Sequence, residues 1–160
     1  MSHPEVYVQY VASDVPVLSA HNFFAPQPVK DADIFVVRFI LHDWPDKYCY
    51  QILRRLREAA APFTRLMIIE HLMAYACVDE GLNSIPGATI PPPPAPLLAN
   101  GGQSSTIAYF QDLQMLSMLN GKERTVAQFK ELLEQTGWKL QAVTRGRQAS
   151  NPGKIVAVPA

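Results

Sequence analysis

Hydrophobic positions are densest between Asp33 and Glu70. Ile34-Phe35-Val36-Val37-Arg38-Phe39-Ile40-Leu41 is a nearly continuous apolar run rich in β-branched and aromatic residues. Such a run predicts a strand buried on both faces, as in a parallel sheet. His42-Asp43-Trp44-Pro45-Asp46 follows, where Asp43 is placed to cap a helix and Pro45 is tolerated in its first turn. Cys49, Ile52, Leu53, Leu56 and Ala60 then recur at helical spacing, with Lys47, Arg54, Arg55 and Arg57 on the opposite face. Pro62 stops that helix, and Leu66-Met67-Ile68-Ile69-Glu70 reads as a second buried strand. Strand, helix and strand in this order predict a right-handed βαβ unit.

The pattern breaks after Cys77. Residues 78–107 carry Gly81, Pro86, Gly87, four consecutive prolines from Pro91 to Pro94, Pro96 and Asn100-Gly101-Gly102. The proline run favours an extended, hydrogen-bond-free backbone, so this stretch reads as a mobile surface loop. Helical periodicity resumes over Ile107–Leu119, where Phe110, Leu113, Met115, Leu116 and Leu119 predict a buried helix. Thr125 with Gln128 three positions on spells a capping box, Phe129, Leu132 and Leu133 form the inner face of the helix it opens, and Gly137 ends it. Residues 138–143 and 154–158 predict two strands joined through Asn151-Pro152-Gly153 as a closing antiparallel hairpin. The opening Val6-Tyr7-Val8-Gln9-Tyr10 reads as one further strand.

Composition narrows the function classes. Fourteen basic and fourteen acidic residues leave no net charge, so the basic stripe of a nucleic-acid binder and the polybasic patch of a membrane-surface protein are both absent. Neither nucleic acid nor membrane is expected as a partner. Cys49 and Cys77 have no metal-ligand spacing and read as reduced thiols, so no metal is expected. The start MSHPEVYVQY has no apolar leader, and no run of about eighteen apolar residues occurs. A cytoplasmic location is the expectation.

In open α/β sheets ligands bind beyond the carboxyl ends of the strands. His42 follows the first buried strand and Glu70 ends the second, so both belong to one rim. An imidazole titrates near neutrality and can take a proton from an acidic hydroxyl. A carboxylate at its other ring nitrogen would orient it. Glu70 is one candidate, and an acid from Gly121-Lys122-Glu123-Arg124-Thr125 is another. Read alone, His42-Asp43 is first a helix-start dipeptide, Glu70 a solvated strand end, and Glu123 a surface charge or part of a helix-start network.

Taken together these segments resemble a known family. Arg38-Phe39-Ile40-Leu41-His42-Asp43-Trp44-Pro45-Asp46 is similar to the signature of plant- and fungal-type S-adenosylmethionine-dependent O-methyltransferases, the caffeate and flavonoid class. His21-Asn22-Phe23-Phe24 with Pro26-Gln27-Pro28, the strand 66–70, Asp112-Leu113-Gln114-Met115-Leu116 and Gly121–Thr125 match further stretches of that family in the right order. The resemblance covers the C-terminal part of the family's catalytic domain. It implies an α/β, partial Rossmann-like methyltransferase fold, mostly parallel with a C-terminal antiparallel hairpin. Residues 1–160 are then a single truncated catalytic domain with a proline- and glycine-rich inserted loop at about 78–107.

The resemblance also implies roles. His42 corresponds to the general base, and Glu70 and Glu123 to the acids that position it. Arg38, Phe23, Phe24 and Asn22 fall where the family contacts the methyl donor, S-adenosylmethionine. Met115, Met118 and Asp43 fall where it meets the acceptor, a small phenolic or polyketide-like hydroxyl compound of fungal specialised metabolism. A homo-oligomer, or a hetero-oligomer with another methyltransferase-like chain, is a further expectation. The sequence departs from the family pattern on the donor side. It contains no Gly-rich loop, Tyr10 stands where an acid is expected with Asp14 nearby, and Asn22 replaces an acid. Two alternatives therefore stay open: a non-methylating natural-product enzyme of cyclase, dehydratase or pericyclase type on the same rim, and an inactive fragment or scaffold module.

Overall fold

The computed structural model describes residues 5–12, 15–75, 80–89, 91, 93–146 and 151–160. Cys77 lies outside them. Its central sheet is built from β3 (Ile34–Arg38), β4 (Arg65–Glu70), β7 (Trp138–Thr144) and β8 (Gly153–Pro159), in the order β3-β4-β8-β7. The predicted βαβ unit is present: α1 (Asp46–Ala59) connects β3 to a parallel β4. The predicted hairpin is present too, and β8 lies antiparallel to both β7 and β4. The parallel share is smaller than the sequence suggested. Because the hairpin's returning strand inserts beside β4, two of these pairings are antiparallel and one is parallel.

The core lies on one face of this sheet. Phe35 and Val37 of β3, Leu66 and Ile68 of β4 and Ile155 and Ala157 of β8 meet Ile52, Leu53 and Leu56 of α1. Phe129, Leu132 and Leu133 of α3 (Val126–Gln135) join the same cluster. Each such large side chain contributes roughly 1.5–3 kcal/mol when removed from water. Trp138 fastens the layers together: its fully buried indole donates from Nε1 to the Leu53 carbonyl at 3.1 Å. Thr125 caps α3, with the Gln128 side chain reaching back to the Thr125 N–H, as its spacing predicted.

Several expectations need correction. β3 ends at Arg38 and is buried on one face only, Ile34 being 43% and Val36 55% exposed. An all-apolar strand carries no alternation that would show which face is covered. α2 (Thr106–Leu119) forms, yet Ile107, Phe110, Leu113, Leu116 and Met118 are exposed and Ala108 is its buried apolar residue. Periodicity predicted the helix but not a partner for its apolar face. Asp43 does not cap α1. It closes a short 3-10 turn, Leu41–Asp43, and Pro45 occupies the cap position with no side-chain bond.

The described parts of the segment after β4 are also more ordered than a free loop. β5 (Leu72–Met73) pairs in parallel with β6 (Arg124–Thr125). Leu82 and Ala88 are buried in the core cluster, and the Val143 N–H donates to the Pro86 carbonyl. Gly87 has φ +73, and a Cβ there would sit 1.9 Å from the Val143 carbonyl oxygen, so this close approach needs glycine. The opening segment is a strand, β1 (Glu5–Ala12), but it pairs antiparallel with β2 (Val15–Asn22) as a separate two-stranded sheet. Local pairing of neighbouring segments closes the shortest loop and so costs the least entropy.

Candidate active site

The geometry of the rim begins with backbone. At the end of β3 the chain leaves the sheet through Phe39, whose φ of +50 is unusual for a residue with a bulky side chain. The Phe39 N–H still reaches the Ile69 carbonyl at 3.1 Å, the last ladder bond with β4. Ile40 and Leu41 then turn their N–H groups onto Glu70 Oε1 at 3.0 and 2.9 Å. The carboxylate at the end of β4 thus receives the backbone at the end of β3, and the next residue, His42, is fixed above it.

Two buried carboxylates face the imidazole. His42 Nδ1 lies 2.9 Å from Glu123 Oε1 and 3.7 Å from Glu70 Oε2, and Asp43 Oδ1 lies 3.4 Å from Nε2. The Glu70 and Glu123 side chains are 0% and 1% exposed, that of His42 15%. A carboxylate at this distance favours the tautomer with its proton on Nδ1, and in the neutral ring that leaves Nε2 as the basic nitrogen. Oε2 of Glu70 and Oε2 of Glu123 are buried without a hydrogen-bond partner among the described residues.

Burial alone would lower the His42 pKa. The Glu123 hydrogen bond and the charges of Glu70, Glu123 and Asp43 outweigh it and hold the imidazole above its ordinary 6.5. Glu70 is displaced in the direction that favours its proton. Burial pushes it up to about 7 against the opposing pull of His42 and the Ile40 and Leu41 N–H groups. Asp43 is raised as well, again chiefly by burial.

The structure brings His42, Glu70, Glu123 and Asp43 together and treats the other sequence candidates unequally. Arg38 is exposed on the same rim, its guanidinium carbon 4.9 Å from the centre of the Phe39 ring, with no ion pair among the described residues. Phe23 and Phe24 are half-buried, edge-on to Trp44 at 5.8 and 5.0 Å, and so serve packing first. Asn22 spends its side-chain oxygen on the Phe24 N–H at 3.0 Å, closing its own turn. Met115 is half-buried, whereas Met118 is 68% exposed.

Other contributors were not visible from spacing. The Phe39 ring stacks between His42, at 5.7 Å, and His71, at 5.3 Å. Asp112 of α2 accepts the Glu123 N–H at 2.8 Å. Arg124 and Asp46 meet from 78 positions apart. Their signal, an arginine beside Glu123 and an acid at the start of α1, means nothing in sequence until the fold joins them.

One imidazole nitrogen and two carboxylate oxygens of His42, Glu70 and Glu123 lie within 4.8 Å of one another, donor types that also suit a divalent cation. The 2.9 Å contact, however, is a direct hydrogen bond, which an ion would have to displace. For S-adenosylmethionine the residues fit on one side. Arg38 offers a cation next to the aromatic face of Phe39, while Asn22 is occupied by its own backbone and offers no carboxylate to a ribose diol.

Comparison with known proteins gives this rim a context. A family model described as an O-methyltransferase domain matches residues 5–83. A 4-O-methyltransferase 1 from Phanerochaete chrysosporium is 44% identical over 148 residues, covering 90% of this chain and 32% of that protein. The chain therefore spans about a third of the length of that relative. Among solved structures, an O-methyltransferase of neocarzinostatin biosynthesis in complex with S-adenosylmethionine and 2-hydroxy-5-methyl naphthoic acid is 25% identical. It superposes with a TM-score of 0.62, over 89% of this chain and 33% of that one. A pericyclic reaction enzyme is 26% identical with a TM-score of 0.65, over 88% and 29% of the two chains.

Proposed function

Because the chain belongs to the O-methyltransferase family, we propose that it serves O-methylation of a small aromatic or polyketide-type metabolite, with His42 as the general base. One observation carries this reading: a buried carboxylate holds Nδ1 of His42 at 2.9 Å, so the basic nitrogen is the one turned away from it.

His42 Nε2 takes the proton of the acceptor hydroxyl as that oxygen becomes nucleophilic. Glu123 holds the ring in the tautomer this requires and stabilises the imidazolium that results. Glu70 anchors the backbone before His42 and adds its charge at 3.7 Å. Asp43, on the Nε2 side at 3.4 Å, offers the released proton an exit. S-adenosylmethionine, when bound, supplies an electrophilic methyl group. Arg38 is the residue here best disposed to hold it, and Phe23 and Phe24 are half-buried against Trp44.

A panel of phenols incubated with the chain and methyl-labelled S-adenosylmethionine tests the reading. Label in a methyl ether, lost by about a hundredfold or more in His42→Asn, is the expected result. Undetectable transfer together with no donor binding at millimolar concentration would overturn it. A second reading draws on the similarity to a pericyclic reaction enzyme: the same base and cation act on a natural-product intermediate without methylating it. Product formation of unchanged mass, dependent on His42, would select that reading.

A further inference from the structure

Arg124 is a guanidinium with no exposed side-chain surface. Burying that cation is expensive unless every donor finds an acceptor, and an apolar side chain would fill the same volume at lower cost. Its donors converge on one short stretch of chain. Nη1 reaches the Leu41 carbonyl at 2.6 Å, Nη2 reaches the Trp44 carbonyl at 2.8 Å, and Nε and Nη2 grip Asp46 Oδ1 at 3.1 and 2.8 Å. A further Nη2 contact meets Cys49 Sγ at 3.3 Å. Leu41 and Trp44 bracket the turn that carries His42, and Arg124 is the residue next to Glu123.

The neighbours of Arg124 make the same connection. The Lys122 N–H donates to the His42 carbonyl at 3.0 Å, and Lys122 Nζ meets Asp46 Oδ2 at 2.7 Å. Leu41 is thus held from both sides, its N–H by Glu70 and its carbonyl by Arg124. We propose that Arg124 is a positioning residue: one buried guanidinium locks the turn bearing His42 to the segment bearing Glu123 and so sets the imidazole–carboxylate contact. Its catalytic consequence rests on His42 being the base, but the contact itself is read without any turnover.

The reporter is the His42 ring, titrated by NMR in the full 160-residue chain and assigned by loss of its signal in His42→Gln. The groups facing it are Asp43 from its own turn, Glu70 from β4 and Glu123 from the segment before β6, with Arg38 and His71 around the Phe39 ring. Arg124→Lys keeps the charge and removes the planar fork. Burial still opposes the imidazolium once the Glu123 contact loosens, so the His42 midpoint falls by about half a pH unit or more. Glu123→Gln lowers it too, and Arg124→Lys adds nothing further in that background, because both changes remove one contact. A midpoint unmoved in folded Arg124→Lys, or effects that add, overturns the proposal. Should Arg124→Lys not fold, Asp46→Asn decides: its side chain is 41% exposed, and it loosens the same guanidinium. A lowered midpoint then supports the proposal, and an unchanged one overturns it.

Discussion

His42 and Glu123 are 81 positions apart in sequence and 2.9 Å apart in space, with the imidazole Nδ1 facing the carboxylate. That contact leads the influences that raise the His42 pKa against its burial. If His42 is the base proposed above, methyl transfer is expected to rise with pH through a midpoint above the ordinary 6.5. In Glu123→Gln the rising limb moves to lower pH, and the plateau falls by about a hundredfold or more. A pH–rate profile of both proteins checks this; a limb that stays in place refutes it.

Glu70 predicts how stability depends on pH. Its folded-state pKa, about 7, lies above the ordinary 4.5 because burial disfavours the charge. The folded protein thus binds this proton more tightly than the unfolded chain, so Glu70's contribution to stability is fully present below about pH 4.5 and is lost as pH climbs through about 7. His42, also raised, acts in the same direction, its contribution being lost as pH passes its folded value. Glu70→Gln keeps an acceptor for the Ile40 and Leu41 N–H groups without the charge. Its melting temperature should exceed the parent's by several degrees at pH 8 and differ little at pH 4.5. Equal effects at both pH values would contradict this account.

Gly121 tests the close approach behind His42. A Cβ at this position would lie 1.9 Å from the His42 carbonyl oxygen and 2.9 Å from the Asp43 carbonyl carbon. Gly121→Ala must push two backbone segments apart, at a cost of about 1–3 kcal/mol. Denaturant unfolding gives the stability change, and the His42 titration should shift downward in the same variant.

The exposed face of α2 predicts the opposite. Phe110 and Leu113 are 67% and 64% exposed, so Phe110→Ser and Leu113→Ser should each change stability by less than about 1 kcal/mol. Trp138→Ala, which removes a fully buried indole and its hydrogen bond, should cost about 3–5 kcal/mol. Chemical denaturation of the three variants separates these cases.

Local signals in the sequence carried much of this fold. The β3–α1–β4 unit, the Thr125 cap and the closing hairpin follow from periodicity, capping chemistry and turn residues, all read within a few positions. The placing of His42 and Glu70 on one rim follows from strand ends. What sequence could not show is which apolar faces are covered: Val36 and Phe110 are as apolar as Val37 and Phe129, and only the assembled layers separate them. The resemblance named Glu123 as a partner of His42. Nothing local named Arg124, because a cation becomes a strut only when Leu41, Trp44 and Asp46 are brought to it.

Residues 121–124 are tied to residues 41–46 directly, across the site, and no described residue of 80–105 shares in those bonds. The bonds that place His42 beside Glu123 thus do not run through the described part of that segment, although Leu82 and Ala88 help build the core. Changes within residues 93–101, none of which belongs to the core cluster, should therefore leave the His42–Glu123 contact in place. That stretch can drift in sequence over evolution while the imidazole and its carboxylate keep one geometry.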